Sequence, residues 1–180
     1  SNLFYSPMQP TIYLGLGGTG IQTLSYLKKQ FVDAYGEEHI PKEVAFLGVD
    51  AMRFPYIDNL DIIGCQIPLV EYYKAQKQKG SLKWLHDENL CGIPTNISFP
   101  NASLRTTGRL AADASISHII YEFEKRMNTV GGSNDVHVSV YVITSLAGGF
   151  GSGSLIPIVA ALRNKFSERI KVYGHGVLHN

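Results

Sequence analysis

The sequence is poor in cysteine. Cys65 and Cys91 are the only two in 180 residues, and they form no Cys-x-x-Cys pair. This excludes a disulfide-stapled scaffold and a thiolate metal site, and leaves two reduced thiols as the expectation. An excess of one charge is also missing. The formal net charge is +1 and no basic block stands out, which argues against a general nucleic-acid surface. No apolar run approaches the ~20 residues that a membrane helix needs, and no signal peptide opens the sequence. The expectation is a cytoplasmic protein with neither a nucleic-acid nor a membrane partner. The six histidines are scattered, and His175 and His179, four apart, fall on a strand and a terminus rather than on a helix. No protein-held metal site is therefore expected. There is no Gly-x-Ser-x-Gly elbow to suggest a serine nucleophile.

What remains is the composition of an ordinary globular domain, with 44% apolar and 17% charged residues. A chain of this length can bury one real core. Thr11-Ile12-Tyr13-Leu14 reads as a short buried strand and is followed by a helix from Ile21 to Tyr35. Ile21, Leu24, Leu27 and Phe31 share one face of that helix. Val44 to Val49 is a second buried strand ending in Asp50. Asp61 to Gly64 reads as a short strand, Val70 to Lys79 as an exposed helix, and Ser81 to Asp87 as a further turn around Trp84. Arg109 to Met127 is a long helix with Ile116, Ile119, Ile120 and Phe123 at helical spacing. Glu122, Glu124, Lys125 and Arg126 read as its solvated, charge-paired face. Val136 to Thr144 is a strand, Leu155 to Phe166 a helix, and Ile170 to Val177 a last strand. Alternation of this kind predicts an α/β fold, a doubly wound and mainly parallel sheet with helices on both faces.

Two glycine-rich turns carry the chemistry. Gly15-x-Gly17-x-x-Gly20 lies between the first strand and the first helix. Ala147 to Gly153 lies between the fourth strand and its helix, with four glycines in seven residues and no lysine. The first amides of a helix lack partners and carry partial positive charge, and glycine lets backbone approach a phosphate closely. The first turn alone fits a dinucleotide fold with Asp50 on the ribose, but Asp50 stands farther from Gly20 than the ~20 residues usual for that role. The second turn lacks the Gly-Lys-Ser/Thr ending of a P-loop. A phosphate there would rest on backbone amides, the helix terminus, Ser152 and a metal ion. In doubly wound sheets the ligand sits where strand order reverses, so both turns are expected to face one crevice.

These residues also resemble a family. Ser145 to Gly153 is similar to the tubulin signature GGGTGSG with its preceding Ser-Leu. Gly15 to Gly20 resembles the first phosphate loop of FtsZ. Phe46 to Ala51 resembles the FtsZ segment ending Asn-Thr-Asp-Ala, and Gly108-Arg109-Leu110-Ala111-Ala112-Asp113 its Gly-Arg-x-Ala-Ala-Glu. The resemblance implies the tubulin/FtsZ GTPase fold, with sheet order 3-2-1-4-5 and residues 1–180 as one GTP-binding domain cut after its fifth strand. It implies GTP or GDP with Mg²⁺ as ligand and self-association into filaments. Gly17, Gly18, Thr19, Gly20 and Gln22 would follow the α- and β-phosphates. Asp50 and Ala51 would lie near the γ-phosphate and its Mg²⁺. Arg105 and Thr106 would belong to a γ-phosphate-sensing loop over residues 103–107. Gly148, Gly149, Phe150, Gly151 and Ser152 would cradle the phosphates from the other side. Ala147 stands where the signature has glycine, and Phe150 where it has threonine, which removes a hydroxyl contact. In the family the base clamp and catalytic acids follow the fifth strand, so hydrolysis is expected only with segments beyond these residues. Two other readings remain open on the residues alone: a Rossmann-type dinucleotide-binding or adenylating domain, and a tubulin-fold scaffold without nucleotide chemistry.

Overall fold

The computed structural model describes residues 8–50, 57, 59–64, 69–80, 105–131, 136–146 and 150–177. The expected helical turn around Trp84 lies outside them. The elements in chain order are β1 (Thr11–Leu16), α1 (Gly17–Tyr35), a 3-10 turn (Glu37–His39), β2 (Val44–Asp50), β3 (Ile62–Gly64) and α2 (Leu69–Gln78). Then come α3 (Arg105–Val130), β4 (Val138–Ser145), α4 (Phe150–Phe166), a second 3-10 turn (Ser167–Arg169) and β5 (Ile170–Val177). The five strands form one parallel sheet in the order β3-β2-β1-β4-β5. This is the α/β, doubly wound arrangement and the strand order expected.

Strand alternation divides the core between the two faces of the sheet. On one face Ile12, Leu14, Leu16, Leu47, Val49, Val138, Val140 and Val142 meet Ile119, Phe123 and Met127 of α3 and Ile158, Leu162 and Phe166 of α4. On the other face Tyr13, Val44, Phe46 and Ile143 meet Ile21, Leu24, Leu27 and Phe31 of α1. Phe123 is fully buried and its ring centroid lies 5.4 Å from that of Phe166. Truncating such a side chain costs about 3–5 kcal/mol.

All three long helices start earlier than the apolar periodicity indicates. α1 begins at Gly17 rather than Ile21, α3 at Arg105 rather than Arg109, and α4 at Phe150 rather than Leu155. Glycine and small polar residues read as loop by propensity, yet the first turn of a helix needs no apolar stripe, and packing on the strand ends holds it in place. α1 ends at Gly36, whose positive φ of 86° lets its N–H reach Val32 O at 2.8 Å.

One charged residue departs from its expected place. Arg126 is not on a solvated face but 9% exposed. Its Nε donates to Phe46 O at 2.8 Å and its other nitrogens to Glu122 O, Glu122 Oε2 and Asp61 Oδ2. Lys125, by contrast, makes the expected exposed pair with Glu122 at 3.2 Å. Tyr72 packs partly buried against the core, as its size suggests. Among the described residues no helix is long and apolar enough to cross a membrane.

Candidate phosphate-binding site

β1 and β4 are neighbours, with Leu16 opposite Thr144. β1 runs directly into α1 and β4 precedes α4, and Gly17 lies close to Gly151, so the two helices start side by side at the carboxyl ends of the two central strands. They lie on opposite faces of the sheet, and the order reverses between them. This is the switch point where doubly wound sheets hold ligands.

The glycines explain how close the two turns come. A Cβ on Gly17 would lie 3.0 Å from the amide nitrogen of Gly151. Gly17 also has φ 73°, a conformation that side chains other than glycine's rarely adopt. A Cβ on Gly20 would lie 2.3 Å from Ile143 O, and one on Gly151 2.4 Å from Thr144 Oγ1 and 2.8 Å from Leu16 O. The packing is crosswise: the helix after β1 rests on the end of β4, and the helix after β4 rests on the end of β1. Thr144 is 2% exposed and sits at the centre of this joint. The sequence reading missed it, although a threonine closing an apolar strand before a glycine turn is a usable signal.

Electrostatically the joint suits an anion. The first turns of α1 and α4 contain no acidic residue. Leu16, at the N-cap of α1, offers no side-chain cap. Two helix dipoles thus present positive ends to neighbouring points. The close contacts at Gly17, Gly20 and Gly151 are with protein atoms, so these glycines let the two helix starts pack on the strand ends, and the first amides of the two helices are the groups that would receive an anion.

The expected site residues sort as follows. Gly17, Gly18, Thr19 and Gly20 form the first turn of α1, with Thr19 O accepting from Thr23 Oγ1 at 2.9 Å. Gln22 follows, exposed, in the next turn. Gly151 and Ser152 are in the first turn of α4 beside them, and Phe150 opens that helix. Asp50 is the last residue of β2, 7% exposed, one position beyond Val49, which pairs with Leu16. It therefore lies at the same carboxyl edge, one strand away from the joint. Arg105 and Thr106 are the first residues of α3 rather than part of a loop. Ala51, Gly148 and Gly149 lie outside the described residues. The clefts found elsewhere are separate from this site. One of ≈ 420 Å³ opens at the other end of β2, lined by Lys28, Lys42, Phe46, Asp61, Lys125 and Arg126 among others.

Comparison with known proteins gives a consistent picture. Residues 69–177 match the model of a family described as tubulin like. No curated protein sequence matches. Among solved structures, the chain is similar to CetZ2 from Haloferax volcanii, a GTPγS-bound protofilament, with TM-score 0.58 and 15% identity over 94% of this chain and 39% of that one. It is similar to CetZ1 from the same organism, a GDP-bound monomer, with TM-score 0.58 and 14% identity over 94% and 41% of the two chains. CetZ from Methanosaeta thermophila gives TM-score 0.53 and 19% identity over 94% and 36%. At these identities the likeness is one of fold. The chain spans about two-fifths of the length of these relatives.

Proposed function

Because the chain belongs to the tubulin-like family, we propose that it is the GTP-binding part of a cytoplasmic, self-assembling cytoskeletal protein. The observation that supports this reading is the close approach of Gly17 to Gly151, which brings the starts of α1 and α4 together. In this reading the amides of Gly17 to Gly20 hold the α- and β-phosphates. The amides of Gly148 to Ser152 and the Ser152 hydroxyl hold them from the α4 side. Gln22 stands at the rim of the cradle. Asp50 and Ala51 lie by the γ-phosphate, with Arg105 and Thr106 facing it from the start of α3. Bound Mg²⁺ would neutralise phosphate charge that no lysine in these turns meets. Support for guanine nucleotide and for filaments comes from what the structural relatives hold: GDP in one, GTPγS in a protofilament of another. Hydrolysis, in this reading, requires segments beyond these 180 residues.

Equilibrium dialysis of the chain against GTP, GDP, ATP and NAD, with and without Mg²⁺, tests the proposal. Retention of GTP or GDP that strengthens with Mg²⁺ supports it. Retention of NAD alone would return the site to a dinucleotide fold, and retention of none, by this chain and by one extended through the segments that hold the base in the family, would leave a scaffold without nucleotide chemistry.

A further inference from the structure

The sheet has an open edge at the beginning of β2, and Arg126 stands on it. β3 pairs only with Gly48 to Asp50, so Val44 to Leu47, which pair with β1 on one side, have no strand on the β3 side among the described residues. Gly48 N–H points outward, to Asp61 O at 3.0 Å. By the two-residue period of a strand, the backbone groups of Phe46 and Val44 point outward as well. Two of their four groups are met. Val44 N–H bonds back to Pro41 O at 3.1 Å, and Phe46 O accepts from Arg126 Nε at 2.8 Å. Among the described residues no hydrogen bond reaches Phe46 N–H or Val44 O.

These two open groups complement themselves. A second copy of β2 lying antiparallel, with Ala45 on the two-fold axis, would join Phe46 N–H of each copy to Val44 O of the other. Such a contact is isologous and closes on itself. Edge strands that keep unpaired groups are the usual templates for association, and proteins guard them with charge and proline. Here Pro41, Lys28, Lys42 and Lys125 rim the cleft beside the edge, and the Arg126 guanidinium lies across it. Asp61 and Glu122 hold that guanidinium at 3.0 Å each.

We propose that Arg126 is a guard: its side chain occupies the β2 edge in place of a strand and keeps a second copy of this chain from adding there. This edge lies at the opposite end of β2 from Asp50, so the guard is independent of the nucleotide reading. The lysine rims of two copies repel, and salt, which screens exposed charges over roughly 10 Å at 0.1 M, favours the contact once the guanidinium is gone.

The test uses the 180-residue chain with Arg126→Met, which keeps much of the aliphatic volume but no donor, and Arg126→Lys, which keeps the charge and one donor group. Sedimentation velocity reads mass against concentration at low and high salt. The expected result is a doubling of mass for R126M, stronger in high salt, with R126K like the parent chain. A folded R126M with the parent's mass under every condition overturns the proposal. Amide exchange in the unaltered chain decides independently if R126M does not fold. Phe46 N–H, lacking a partner, should exchange roughly tenfold or more faster than Gly48 N–H. Equal protection of the two amides at low concentration would show that this edge is not open, and would overturn the proposal.

Discussion

Gly17 and Gly151, far apart in sequence, meet backbone to backbone: a Cβ on the first would lie 3.0 Å from the amide nitrogen of the second. The contact puts the positive ends of two long helices at one point, at the carboxyl ends of two adjacent parallel strands.

Gly151→Ala puts a methyl group 2.4 Å from Thr144 Oγ1 and 2.8 Å from Leu16 O. The backbone oxygen cannot turn away, so α4 must shift off the joint. The expected cost is about 1–3 kcal/mol, the range for overpacking, together with a marked loss of nucleotide affinity. Chemical denaturation and dialysis measure the two. Gly20→Ala, facing Ile143 O at 2.3 Å, should behave alike.

Ser152→Asp separates stability from binding. A carboxylate in the first turn of α4, which has no acidic residue, favours the helix dipole by about 0.3–1 kcal/mol. The same charge repels a phosphate. The melting temperature should hold or rise while GTP retention falls. A parallel fall in both would mean that Ser152 acts only through the fold.

Asp50→Asn keeps the shape of the buried β2 end but removes its charge. GTP retention should lose most of its Mg²⁺ dependence, read as the ratio of affinities with and without the ion. An unchanged ratio would remove Asp50 from the metal's surroundings.

Glu122 carries a pH signature. Partial burial pushes its carboxyl upward, but hydrogen bonds from Arg126 and Lys125 outweigh that and hold it below its ordinary value of 4.5. A carboxyl lowered in the folded state adds stability that is present above 4.5 and lost as pH falls through the folded value. The stability gap between the parent chain and Glu122→Gln should stay level from neutral pH down to that point and narrow below it. Urea denaturation at stepped pH reads the gap. A gap that is constant through the acid range would contradict the clamp around Arg126.

The sequence made much of the fold legible. Strands such as Val44 to Val49 and Ile170 to Val177 are short apolar or β-branched runs bounded by turn residues, and they appear almost as read. The order of the strands is a different matter, since pairing between distant segments leaves no local mark; it came from the family resemblance. Helix starts are not legible, because Gly17 to Gly20 and Phe150 to Ser154 look like loops by propensity, although strand ends hold them helical. The burial of Arg126 is hidden for a related reason. Its buried partner, Phe46 O, is 80 residues away. A local signal did exist: Arg126 follows Ile119 by seven and Phe123 by three, inside the buried stripe of α3.

The joint at Gly17 and Gly151 is tested most directly by titrating the chain with Mg²⁺·GTP while following backbone amide resonances. A shared cradle predicts that the amides of Gly17 to Gly20 and those of Gly151 and Ser152 shift together along one saturation curve. Shifts confined to one turn, or two curves with different midpoints, would contradict it.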